Sequence, residues 1–153
     1  MTTFRFRLDP VLGHRERAER EAAGAHAKML ADQLVAERMR DELVNRRDQM
    51  RDELIARHAR FDGDHLRATY AHLGYLDRAI RAAQERVDAC VAETARAHRK
   101  LVETARDRKV LETLKARRRE TFDLERAQAE QRELDDLNAR LFERASLFEG
   151  PSL

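Results

Sequence analysis

Three histidines, His58, His65 and His72, recur at intervals of seven. Imidazole is the commonest side-chain metal ligand, and helically spaced histidines are a familiar way to hold zinc. Here a Phe61-Asp62-Gly63-Asp64 break falls between His58 and His65. The three therefore do not share a helical face, and no metal site is expected. Cys90 is the single cysteine, which excludes an intrachain disulfide. It stands among apolar residues at heptad spacing, where a small apolar side chain fits and a core role follows. No phosphate-cradling glycine loop, paired Cys-x-x-Cys or His-x-x-x-His is present. Carboxylates are plentiful, but thin helical architecture offers no pocket to desolvate them and tune their acidity. The sequence therefore points away from an enzyme, and no catalytic residue or cofactor is expected.

The remaining chemistry is charge. Between Arg96 and Arg119 ten basic residues meet only Glu103, Asp107 and Glu112, a local balance of about +7. The candidate collar is Arg108, Lys109, Lys115, Arg117, Arg118 and Arg119. From Asp123 to Glu149 the balance reverses to about −4. Such runs are ordinarily solvated helix faces; the alternative is a collar that meets an acidic partner surface.

The elements that must carry these residues are long helices. Every seventh residue from Leu73 reads Leu73, Ile80, Val87, Thr94, Leu101, Arg108, and from Leu76 it reads Leu76, Ala83, Cys90, Ala97, Thr104, Leu111. This is a narrow apolar seam, and it requires a second helix laid along it. Phe4 to Leu8 alternate with period two and enter extended; Asp9 then reads as an N-cap and Pro10 as the first helical residue. The stretch from Pro10 to about Phe61 forms a first helix. Its stripe is Ala22, Met29, Ala36, Leu43 and Met50, with Ala25, Met39 and Leu54 at alternate positions and Asp32, Gln33 and Arg46 as interruptions. A turn at residues 62–64 follows, with Gly63 in the left-handed conformation and Asp64 as the next cap. The second helix, from about residue 65 to about residue 148, stops before Gly150-Pro151.

Two helices joined by a short turn pack antiparallel. With the turn near residue 63, facing residue numbers sum to about 127. Leu76 then faces Met50, Val87 faces Met39 and Cys90 faces Ala36. The first helix runs out opposite about residue 117, so the remainder of the second overhangs with Phe122, Leu124, Leu134, Leu137, Leu141, Phe142, Leu147 and Phe148. Phe4, Phe6 and Leu8 can cover part of that face, and the rest is a candidate docking element.

Composition agrees. The chain has 153 residues, of which 39% are charged and 5% aromatic, with no tryptophan, two prolines and five glycines. Such a mixture with helical periodicity marks coiled coils rather than thick-cored globules. A net charge of only +2 is weak support for nucleic-acid binding. No signal peptide or membrane-spanning stretch is evident, so a cytoplasmic protein is expected. The predicted fold is all-α, a single antiparallel two-helix coiled-coil hairpin with an overhanging C-terminal helix.

Three stretches carry a resemblance. Phe4-Arg-Phe-Arg-Leu8 followed by Leu12, Arg15 and Glu19 resembles the opening of the flagellar FliJ family. Tyr75-Leu-Asp-Arg-Ala-Ile80 resembles its stretch after the turn. Lys109-Val-Leu-Glu-Thr-Leu-Lys-Ala-Arg117 and Glu130-Gln-Arg-Glu-Leu-Asp-Asp136 resemble its C-terminal signature. The likeness spans essentially the whole chain. It implies a component of the flagellar type III export apparatus, built like the central stalk of rotary ATPases. Such a stalk inserts its terminal end into the ring of the export ATPase FliI and directs its turn end toward the export gate protein FlhA, at the cytoplasmic face of the flagellar base. It also implies escort of export chaperones.

On this chain the ring-facing residues would be Phe4, Phe6, Leu8, Phe122, Leu134, Leu137, Leu141 and Phe142. The gate-facing residues would be Met39, Leu43, Arg46, His72, Leu76 and Ala79. His72 and Arg46 depart from the aromatic or larger residues that the family often carries there, and Leu43 and Leu76 read equally as plain seam residues. Other readings stay open: a stalk of a related virulence secretion system, a coiled-coil scaffold whose seam pairs between chains, and a nucleic-acid binder using the collar. A monomer on its own is expected from the hairpin.

Overall fold

The structure, a computed structural model, describes residues 3–148; the surroundings of the side chains at position 58 and positions 145–148 lie outside that description. Two long helices packed against each other make an all-α helical hairpin, with no strand among the described residues. Helix α1 runs over Asp9–Arg57, a single 3₁₀ turn follows at His58–Arg60, and helix α2 runs over Gly63–Phe148. By compactness the chain divides into Arg15–Arg106 and a second unit of Met1–His14 with Asp107–Leu153. The predicted stop before Gly150-Pro151 lies outside the described residues.

Within Arg15–Arg106 the α2 seam is the one the heptads predict. Every seam residue from Leu73 to Thr104 is buried or half-buried, and Leu76 is the most deeply placed at 1% exposure. Burying such a leucine stabilises by about 1.5–3 kcal/mol. Ala36 of α1 lies against Val87 and Cys90 of α2 in one buried cluster. The thiol of Cys90 is unbonded and 2% exposed, which is the core role expected of it.

The α1 side differs from its prediction in register. Arg40 donates to Gln84 at 3.1 Å, Arg47 lies 3.8 Å from Asp77, and the rings of His26 and His98 are 5.3 Å apart. Each pair is equidistant in sequence from Asp62, so the facing register is displaced by about three residues, nearly one helical turn. Val87 accordingly meets Ala36 rather than Met39, which is 61% exposed. The buried line that alternates with Ala22, Met29, Ala36, Leu43 and Met50 is His26, Gln33, Arg40, Arg47 and Leu54, all buried or half-buried. Ala25 and Met39 are exposed instead. Apart from Leu54 that line is polar, so a reading by hydropathy passes over it. Arginine fills such a position by laying its methylene stem along the seam and keeping its guanidinium at the edge.

The turn also departs from expectation. Gly63 is not left-handed, because no residue with a described backbone has a positive φ. It is the first residue of α2, and the cap is Asp62 rather than Asp64. The Asp62 carboxylate accepts the His65 backbone N–H at 2.8 Å, and its carbonyl accepts that of Leu66 at 3.0 Å. Those are the side-chain and main-chain bonds of an N-cap. Asp64 lies in the first turn, 3.6 Å from Arg67, where a carboxylate favours the positive end of the helix dipole.

Candidate functional site

The second unit contains the chain's N-terminal segment and all six residues of the candidate basic collar. Residues 3–6 belong to no helix or strand, and the Asp9 N–H donates to the Phe6 carbonyl at 3.2 Å as the chain turns into α1. That turn directs Phe6 inward, to 3% exposure, and Leu12 in the first turns of α1 is buried as well. Phe4 meets Phe122 with ring centroids 5.6 Å apart and planes tilted at 54°, a geometry that the opposed edge and face charges of aromatic rings favour.

Two collar cations are engaged by this segment. The Lys115 ammonium lies 2.7 Å from the Asp9 carboxylate and 6.0 Å from the centre of the Phe6 ring. The Arg119 guanidinium lies 5.4 Å from the centre of the Phe4 ring and 3.0 Å from Asp123. Each contact is worth about 0.5–1 kcal/mol in so exposed a setting. Arg108 bonds Glu112 one turn on. Lys109, Arg117 and Arg118 are exposed. Of the predicted collar, then, Lys115 and Arg119 hold the N-terminal segment, while those three present charge to solvent.

Beyond Phe122 the helix changes character. Every described side chain from Asp123 to Arg144 is exposed. Leu134, Leu137 and Leu141 are 53–64% exposed and Phe142 is 78% exposed. Leu147 and Phe148 lie outside the described side chains. The expected partial cover by Phe4, Phe6 and Leu8 is present, and it reaches Phe122 but leaves these four residues open. Leu134, Leu137 and Leu141 recur at three and four, which places them on one face of α2.

Near the turn the six gate-facing candidates divide by exposure. Met39, Arg46 and His72 are exposed, Leu43 and Ala79 are half-buried, and Leu76 is buried. The His72 ring lies nearly parallel to that of Tyr75, with centroids 6.0 Å apart, and Tyr75 is itself 57% exposed. Sequence reasoning did not single out Tyr75 as surface; its position one residue before the buried Leu76 was the available signal. His65 lies against Phe61 at 4.3 Å between ring centres. Among the described residues no group of three or more His, Cys, Asp or Glu could hold a metal ion, and no described helix is long and apolar enough to cross a membrane.

Comparison with curated proteins and with solved structures finds no match. The family model described as "Flagellar FliJ protein" matches residues 4–147, nearly the whole chain. That span includes the N-terminal segment, both helices and the open leucine face. The chain therefore belongs to the FliJ family, a family of non-enzymatic components of flagellar type III protein export.

Proposed function

We propose that this chain acts as a central-stalk-like part of the flagellar export apparatus. In this reading its 123–144 segment enters the ring of the export ATPase, FliI, and promotes ring assembly and activity. The observation that carries the reading is the open face of Leu134, Leu137, Leu141 and Phe142. A soluble helix gains nothing by holding four large apolar side chains in water, and a face of this kind is ordinarily buried against a partner. Phe4, Phe6, Leu8 and Phe122 brace the base of that segment, and Lys109, Arg117 and Arg118 supply positive charge beside it for an acidic rim. The turn end, with His72, Tyr75, Met39 and Arg46 on its surface, is the end directed to the export gate protein FlhA. Leu43, Leu76 and Ala79 shape that surface from beneath. Escort of export chaperones is compatible with the same surfaces, and the protein works at the cytoplasmic face of the flagellar base.

The test is stimulation of the cognate export ATPase by purified protein, with hexamer formation followed by sedimentation. Wild type is expected to raise both, and Leu137→Asp or a chain ending at about residue 118 is expected to raise neither. A folded truncation that stimulates as well as wild type would remove the proposal. Nucleic-acid binding through the collar predicts an affinity that falls steeply with salt. The acids Glu103, Asp107 and Glu112 interspersed among the basic residues disfavour it. A virulence-system stalk is disfavoured by the match to the flagellar family.

A further inference from the structure

Three polar rungs that cross between α1 and α2 in Arg15–Arg106 differ in chemistry. Arg40 with Gln84 is a hydrogen bond and Arg47 with Asp77 an ion pair. His26 with His98 is neither. These two imidazoles come from different helices, with ring centroids 5.3 Å apart and planes inclined at 52°. The inclination is far from a parallel stack. The distance has a simple chemical counterpart. With Zn–N bonds of ~2.0–2.1 Å, two imidazoles sharing one tetrahedral ion have ring centres about 5 Å apart.

We propose that His26 and His98 form a two-imidazole site for a divalent transition-metal ion of the zinc class. Neutral imidazole is a preferred ligand for zinc, copper and nickel. His98 is exposed and His26 half-buried, so the ion can enter from solvent and water can complete its coordination. Among the described residues no third protein ligand accompanies the pair, which makes the site weak and exchangeable rather than structural. Ala22, one turn before His26, is buried, and Met29 and Ala97 beside the pair are half-buried. The backbones that carry the two rings are thus held by seam packing, and little reorganisation is needed for binding. A bound ion would join α1 to α2 at a rung far from the turn, and so clamp the hairpin beyond the Arg40–Gln84 and Arg47–Asp77 rungs.

The experiment uses the full chain without an affinity tag, stripped of metal by chelator and titrated with zinc chloride. Calorimetry gives stoichiometry, and circular dichroism gives the unfolding midpoint at each zinc concentration. One ion per chain is expected, with a midpoint that rises with zinc because the ion binds only the folded hairpin. His26→Gln and His98→Gln should each abolish that rise, while His72→Ala should retain it. Should either glutamine variant lose its helical signal without metal, NMR of wild type replaces it: the His26 and His98 ring signals should shift together on zinc addition, and those of His65 and His72 should not. An unchanged midpoint, a rise that survives both glutamine substitutions, or ring shifts confined to other histidines would each overturn the site.

Discussion

Leu76 and Leu137 are the same residue type on the same helix, yet one is 1% exposed and the other 53%. Around Leu76 the heptad seam of α2 meets α1, and polar rungs at Arg47 and Arg40 line its edge. Around Leu137 every described side chain from Asp123 to Arg144 lies in solvent. Helix propensity does not distinguish the two stretches, since both are rich in Ala, Leu, Glu and Arg, all good helix formers. The difference is the presence of a second helix. A buried apolar side chain holds the hairpin together, whereas an exposed one of the same kind adds little to its stability.

The sharpest way to break this contrast is to place the same charge at both positions. Leu76→Asp should cost about 4 kcal/mol or more, because it buries a carboxylate without a partner. In urea denaturation followed by circular dichroism it should shift the midpoint severely or abolish the transition. Phe6→Ala comes next, at about 3 kcal/mol of local stability. Its effect should appear as faster amide hydrogen exchange around Leu111 to Phe122, with residues near Leu76 unchanged.

Two threonines allow a finer test of seam packing. The Thr94 hydroxyl is buried without a hydrogen-bond partner, while that of Thr104 donates within α2 to the Lys100 or Leu101 carbonyl at 3.0 and 2.9 Å. Thr94→Val should therefore stabilise by about 1 kcal/mol, with a gain near zero for Thr104→Val. Equal gains would mean that the Thr94 hydroxyl has found water. A double-mutant cycle on Arg47 and Asp77 should yield about 0.5 kcal/mol and shrink with salt, as suits a partly exposed pair. Smallest of all is Leu137→Asp, within about 0.5 kcal/mol of wild type in stability, although it should eliminate ATPase stimulation. A large loss of stability there would show that the 123–144 face is covered within the chain.

Legibility followed hydropathy. The α2 seam could be read residue by residue because apolar side chains fill it, and Cys90 was placed correctly for the same reason. On α1 the line of Ala22, Met29, Ala36, Leu43 and Met50 was legible too, whereas the alternate line was not, since apart from Leu54 its inward positions are His26, Gln33, Arg40 and Arg47. Met39, the more apolar neighbour of Arg40, took the place in the reading that the arginine stem occupies in the fold. Spacing alone held the missing signal: His26, Gln33, Arg40, Arg47 and Leu54 recur at seven, and so do Asp77, Gln84, Val91 and His98. The open leucine face was legible because the first helix is shorter than the second, a consequence of where Pro10 and Gly63 stand.

From the order of residues alone came the two helices, the place of the turn, the seam of α2 and the unequal lengths that leave Leu134, Leu137 and Leu141 exposed among the described residues. These follow from local rules of period, capping and helix propensity, which act over a few residues at a time. The folded hairpin settled what depends on two segments meeting: the register about Asp62, the half-burial of Arg40 in place of Met39, the Phe4–Phe122 contact and the facing of His26 and His98. A shift of one helical turn changes each of those contacts while leaving both helices intact, so the hydropathy pattern of either helix does not select among them. The packing of side chains across the seam does.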